Sequence, residues 1–255
     1  IQAAVNQVTA GGQVFALTGT YPEDVLVNKS VTITGDGPTL TIIDPVTFVA
    51  ITSGDVTLED LAVVNGGTHG VRIENIVNPL PNITFDNVHF KNNPQRGLEI
   101  SATTVTNIQV LNSLFDGNTT GIRMSSTAVV DGFIIDNTTF QNHPNTSTGM
   151  GFYQANDGGN GYVKDLHVTQ STFTNNGFSG IYVEEPIDML VETSDFSGNS
   201  RGVMLFDWYT SAVANGTLNQ ITHNTFTDNT AASIMVLAGN VNGLGTPVSV
   251  DNNTF

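Results

Sequence analysis

The sequence predicts an all-β protein: a single parallel β-helix, or solenoid, of about ten coils with a short N-terminal capping helix. A phrase recurs along most of the chain: an Asn-like residue, two small residues, a Phe, an Asn three places on, and a Gly opening an apolar strand. It centres on Phe90, Phe115, Phe140, Phe173, Phe196, Phe226 and Phe255, at intervals of 25, 25, 33, 23, 30 and 29 residues, which is one rung per repeat. Alternation supplies the second observation, in Gly70-Val71-Arg72-Ile73, Gly97-Leu98-Glu99-Ile100, Gly121-Ile122-Arg123-Met124, Gly180-Ile181-Tyr182-Val183 and Gly202-Val203-Met204-Leu205. The first and third residues after each Gly face inward and the second outward. The third observation is composition: 39% hydrophobic residues in periodic groups exclude disorder, while charged residues make up only 12%.

Taken in order, Ile1, Ala4, Val5 and Val8 stand at helical spacing, so residues 1–10 are expected to cap the open first rung until Gly11-Gly12 ends the pattern. Short strands follow at Val14-Phe15-Ala16-Leu17, Val25-Leu26-Val27, Val31-Thr32-Ile33-Thr34 and Leu40-Thr41-Ile42-Ile43, broken by Gly- and Pro-containing turns. From Asp55 the repeat settles, and residues 11–255 are read as coils of one domain. At the inter-strand spacing of ~4.8 Å, about ten coils make a rod roughly 45 Å long. Inward Phe residues are expected to stack along the axis. Asn three residues before each Phe is expected to form a rung-to-rung amide ladder, and Gly to supply a backbone bend. The long intervals, containing Asn156 to Gly161 and Trp208 to Gly216, are expected to throw out loops.

Seven basic against 23 acidic residues give a net charge of −16, which repels nucleic-acid phosphates and anionic membranes. No apolar stretch approaches the ~18 residues of a spanning helix. The absence of cysteine does not separate secreted from cytosolic. A chain starting at Ile1 and stopping at Phe255 inside the repeated phrase is expected to be a piece of a longer protein, with further coils or a cap after it.

The opening Ile1-Gln2-Ala3-Ala4-Val5, the turn Gly19-Thr20-Tyr21-Pro22-Glu23-Asp24-Val25 and Val31-Thr32-Ile33-Thr34-Gly35-Asp36-Gly37 resemble the start of many pectate-lyase-like right-handed parallel β-helix proteins. The likeness covers essentially the whole chain. It implies the right-handed fold, an extracellular or cell-surface setting, and polysaccharide partners, acted on in many members by lyases, hydrolases, esterases or epimerases. Enzyme motifs of the superfamily do not carry over. Asp131-Gly132-Phe133-Ile134-Ile135 lacks the paired carboxylates of pectin methylesterases. The corners Asn118-Thr119-Thr120, Asn176-Gly177-Phe178-Ser179 and Asn199-Ser200-Arg201 lack the Asp-Asp pair of polygalacturonases.

Two outward patches are candidate glycan-binding sites. Aligned glycines stack Arg72, Glu99 and Arg123, with Glu74 beside them: either a charge-alternating ladder or an anionic-sugar subsite. Tyr182, Glu184 and Glu185 meet Asp207, Trp208 and Tyr209 of the next coil: either loop packing or aromatic faces and carboxylates suited to sugars. Glu184, Glu185, Asp188 and Asp207 offer oxygen ligands for Ca²⁺, but no Ca²⁺-loop pattern accompanies them, so no cofactor is expected. The five histidines lack metal-ligand spacing, and His143 and His223 read as substitutes for Asn. Sequons at Asn28, Asn82, Asn118, Asn137, Asn145, Asn215 and Asn252 leave glycosylation open.

These residues point to a secreted or cell-surface scaffold or glycan-binding module without a recognisable catalytic set. The alternatives are a polysaccharide lyase, hydrolase or epimerase, and a subunit that self-associates end to end.

Overall fold

The computed structural model describes residues 1–49, 51, 54–74, 82–101, 104–155, 159–207, 216–238 and 247–255. Asn156, Asp157, Gly158 and the segment from Trp208 to Asn215, read from sequence as loops, lie outside the described residues. Among the described residues the short helix Gln2–Gln7 is followed by strands alone, and every strand pairing is parallel. Val5 of the helix is buried in the core and Ile1 and Val8 pack against it, so the helix covers the first coil.

The strands form three lateral faces. The first runs from Gly12–Ala16 and Val31–Gly35 through Thr104–Leu111, Val129–Asp136 and Tyr162–Thr169 to Asn219–Thr222 and Val248–Asp251, ten rungs in all among the described residues. The second, the phenylalanine face, pairs Tyr21, Ile43, Val63, Phe90, Phe115, Phe140, Phe173, Phe196 and Phe226 in one inward column. The third, the glycine face, pairs strands such as His69–Glu74, Arg96–Ser101, Thr120–Met124, Met150–Gln154, Ser179–Val183 and Arg201–Asp207.

From Phe90 to Phe226 successive rings lie 4.3, 4.7, 4.7, 4.9 and 4.9 Å apart and within 12° of parallel. All six are buried. Such stacking adds roughly 0.5–1.5 kcal/mol per pair to the burial of the rings. The first coils fill the same column with Ile43 and Val63, which is why the repeated phrase starts only at Phe90.

The glycines answer these rings. A Cβ on Gly180 would stand 2.7 Å from the Phe196 ring and 2.7 Å from the Gly202 carbonyl; on Gly151, 2.6 Å from the Phe173 ring and from the Gly180 carbonyl. Gly97 and Gly202 are crowded in the same way. The expected backbone bend is therefore corrected: these glycines have no positive φ, and they are small because the neighbouring coil's Phe and backbone occupy the space.

The amide ladder expected three residues before each Phe is present at the outer corner in the Asn112–Asn137 link, while the buried ladders lie at other positions. Residues three before the Phe (Asn87, Asn112, Asn137, Gln170, Thr193, His223 and Asn252) all take left-handed φ of 48–57°. Asn suits that conformation better than a branched side chain does. Their side chains sit at the outer corner, where Asn137 Nδ2 donates to Asn112 Oδ1 at 2.8 Å. Two other columns carry the buried bonds. Two residues before the Phe, the Ser113, Thr138, Ser171 and Ser194 hydroxyls each accept from the backbone N–H of the preceding rung. Three residues after it, Asn118 Oδ1 accepts from the backbone N and Nδ2 of Asn93, and Asn199 Oδ1 does the same for Asn176. The Nδ2 groups of Asn118, Asn176 and Asn199 donate to the Phe90, Phe140 and Phe173 carbonyls. Backbone groups that water cannot reach are satisfied in this way.

His143 interrupts this second ladder. Fully buried, it bonds through Nδ1 to the Asn118 carbonyl at 3.1 Å, while its Nε2 and the Asn176 Oδ1 one rung on have no protein partner. Burial holds its pKa down to about 4. His223, by contrast, is an outer-corner residue beside Thr222 Oγ1 at 2.9 Å.

Two outcomes follow. Gly180→Ala should lower stability by about 2 kcal/mol through overpacking, whereas Gly67→Ala, with nothing within 4 Å of the new Cβ, should be near neutral in chemical denaturation; equal effects would refute the ring–glycine account. Unfolded His143 takes a proton near 6.5 and the folded form resists until about 4. Its contribution is thus intact above pH 6.5 and lost as pH falls towards 4, by about 3 kcal/mol in full. His143→Asn should remove that part of the acid sensitivity, read as the difference between the two proteins' stability–pH curves; superimposable curves would contradict it.

Candidate functional site

The glycine face holds both patches read from the sequence. Its outward column runs Arg72, Glu99, Arg123, Tyr153, Tyr182 and Met204, one residue per rung. Arg123 Nη1 donates to Glu99 Oε1 at 2.9 Å, and Arg96 Nε lies 3.3 Å from Glu99 Oε2. Arg72 pairs with Glu74 at 2.8 Å. The ladder is therefore not a simple alternation: Glu99 is shared by Arg123 above and Arg96 beside it, and Arg72 turns to its own strand.

Glu99 is only 4% exposed although it belongs to the outward column, because the guanidiniums cover it. Burial pushes its carboxyl up from the usual range, opposed by Arg123 and then Arg96. Next to it, His69 opens the strand that carries Arg72 and pairs in register with Arg96. Burial first, then the charges of Arg96, Arg72 and Arg123, hold His69 down to about 4. It is neutral near pH 7, with Nδ1 buried and lacking a protein partner.

The aromatic half begins one rung beyond Arg123. Tyr153 and Tyr182 stack at 5.2 Å and 19°. Phe178 leans on Tyr182 at 6.0 Å, and the Arg201 guanidinium lies 4.7 Å over the Phe178 ring, a cation–π contact. The Tyr153 hydroxyl is 3.4 Å from Glu184 Oε1. Buried Gln154 fixes this corner: its Oε1 accepts the backbone N–H groups of Glu184 and Glu185, and its Nε2 donates to the Ala155 and Gly161 carbonyls.

Tyr182, Glu184 and Glu185 therefore lie together on one wall. The backbone of Asp207 ends the adjacent strand, paired with Ala238; Trp208 and Tyr209 lie outside the described residues. Of the proposed Ca²⁺ ligands, Asp188 instead accepts from Thr217 Oγ1 at 2.8 Å and from the Leu218 N–H. No group of three metal-ligating side chains occurs among the described residues.

Sequence reasoning missed Tyr153, Arg96, His69 and Arg201. Gly151-Phe152-Tyr153-Gln154 has the form of the other glycine strands, but it falls in the 33-residue interval where the spacing breaks. His69, Arg96 and Arg201 each precede the Gly and looked like corner residues.

The stacked parallel core with its lateral wall of charged and aromatic side chains defines the fold as a right-handed parallel β-helix. Residues 129–255 match the family described as a right handed beta helix region. Among solved structures, PfbA, a surface adhesin of Streptococcus pneumoniae, is 16% identical with a TM-score of 0.58, over 99% of this chain and 75% of that one. The alginate lyase AlyGC is 12% identical with a TM-score of 0.55, over 99% of this chain and 38% of that one. Tailspike protein 2 of bacteriophage CBA120 is 14% identical with a TM-score of 0.50, over 99% and 43%. The chain thus spans less than half the length of the lyase and of the tailspike, and likeness at these identities establishes the fold. No curated protein sequence matches the chain.

By NMR, the His69 ring should titrate near pH 4, and Arg96→Gln should move its midpoint upward by removing a repelling charge. A midpoint near 6.5 in the native protein would refute the cationic surroundings described here.

Proposed function

We propose that this chain is an extracellular or cell-surface β-helix module that holds a glycan along its glycine face, acting as a scaffold and binding surface. The observation that carries this reading is the Tyr153–Tyr182 stack with Glu184 beside it, set on a rigid lateral wall. Sugars offer C–H faces to aromatic rings and hydroxyls to carboxylates, so the pairing suits them. The fold neighbours give the reading its context, since they include proteins named as a surface adhesin, an alginate lyase and a phage tailspike. The formal charge of −16 argues against nucleic acid. No helix among the described residues is long and apolar enough to cross a membrane.

A second reading, a polysaccharide lyase or epimerase, is favoured by one observation: neutral His69 stands among three arginines, as a base beside cations would.

Affinity electrophoresis against acidic and neutral polysaccharides tests the first reading. Binding is expected, and Tyr182→Ala should weaken it at least tenfold, the loss of roughly 1.4 kcal/mol or more. Retention of full affinity in that variant would remove the aromatic wall from the site. Incubation with the same panel, monitored for unsaturated or epimerised products, decides between the readings: product that disappears in His69→Gln would replace the scaffold with an enzyme.

A further inference from the structure

The buried amide ladder three residues after each Phe breaks at His143, and the polar atoms around the break share one character. In unbroken rungs Asn93 Nδ2 donates to Asn118 Oδ1 and Asn176 Nδ2 to Asn199 Oδ1, both at 3.0 Å. His143 stands in the same column. A Cβ on Gly70 would meet Asn93 Nδ2 at 2.7 Å and one on Gly121 would meet His143 Nε2 at 2.9 Å, so Nε2 takes the place of a ladder amide nitrogen.

Its chemistry is the opposite of that nitrogen's. The Asn118 carbonyl can only accept, so His143 Nδ1, 3.1 Å away, carries the hydrogen of the neutral ring and Nε2 is left as an acceptor. Asn176 is fixed as firmly, because its Nδ2 spends both hydrogens, on the Phe140 carbonyl and on Asn199 Oδ1. Its Oδ1 is therefore a second acceptor, turned by the direction of the ladder towards the His143 rung. Neither atom has a protein partner, and both residues are fully buried. Ser179 at the same corner is fully buried too, with its hydroxyl unpartnered.

Two acceptors cannot satisfy each other; they call for a donor of two hydrogens. The chain takes three or four residues from Asn93, Asn118, Asn176 and Asn199 to the glycine of the following strand, but eight from His143 to Gly151. The extra residues turn back, with the Asn145 carbonyl accepting from the Gly149 N–H at 2.7 Å, and lie against Gly177 of the next rung. The corner is thus longest where the ladder breaks, and it is covered.

We propose that this corner is a binding site for one internal water molecule, which donates one hydrogen to His143 Nε2 and the other to Asn176 Oδ1 and accepts from the Ser179 hydroxyl. Three bonds are the usual complement of a buried water. Two bonds of about 2.8 Å reach across one rung spacing of about 4.8 Å. The water does between His143 and Asn176 what an amide nitrogen does between the other rungs.

Water–protein NOE spectra of the full, isotope-labelled chain at pH 7 test the site. Cross-peaks at the water frequency are expected to the His143 ring protons and to the Asn176 side-chain amide; their absence overturns the proposal. In Ser179→Ala the peaks should persist, since two of the three bonds remain. Their loss there would trace them to exchange of the serine hydroxyl and would also overturn it. His143→Asn puts the ladder's own residue type back in its column, so Nδ2 should donate directly to Asn176 Oδ1 and the water peak to that amide should vanish; a peak that survives means that the water is held elsewhere. A measurement on the native chain needs no variant: the His143 Nε2 nitrogen resonance should lie at the position of an imine nitrogen that accepts a hydrogen bond, and the position of a bare one refutes the site.

Discussion

The interlock between one coil's phenylalanine and the neighbouring coil's glycine governs the rest of this structure. A ring at each rung needs a place where no Cβ intrudes, and the glycine strand supplies it one rung away, as Gly97 does for Phe115 and Gly180 for Phe196. The axial spacing is therefore set twice, by backbone hydrogen bonding and by ring thickness, and the two agree near 4.8 Å. With the interior fixed so tightly, insertions are confined to corners, and the charged side chains that differ from coil to coil stand on the outward faces. That is why the chemistry of the molecule is spread along a wall rather than gathered in a central cavity.

The wall is organised by position within the strand. Residues just before the glycine and two after it stand on the same wall, so His69 and Arg96 lie beside Arg72, Glu99 and Arg123, while Phe178, two before Gly180, leans on Tyr182 and carries Arg201 over its ring. Cationic and aromatic halves thus follow one another along the axis within a few rungs. Gln154 is the joint at the aromatic end: one buried amide fixes the backbone of Glu184 and Glu185 and ties down the chain leaving its own coil.

How much of this was legible depended on what each residue type is selected for. The aromatic period was plain, because nothing except an axial stack asks for one Phe per rung. Asn was ambiguous, because the corners want it for left-handed φ and the interior wants it for its amide. Asn112 and Asn118 flank the same Phe115 and look alike in sequence, yet one serves the first purpose and the other the second. Glycine misled in the same way, since bends and close approaches call for the same residue. The Arg72, Glu99, Arg123 register could be read directly because the glycines align it. Arg96 is not legible from the aligned glycines, because it reaches Glu99 three residues along its own strand rather than across a rung.

The break at His143 also bears on how the rod behaves as a whole. In a stack held by nearest-neighbour terms, cooperativity extends only as far as successive interfaces remain comparably strong. Between the rung of His143 and that of Asn176 the amide relay stops, although the rings of Phe140 and Phe173 remain in contact at 4.7 Å. Here the molecule has a seam: strand pairing and ring stacking cross it unbroken, so the coils stay joined, but a buried charge on His143 at low pH weakens this interface more than its neighbours.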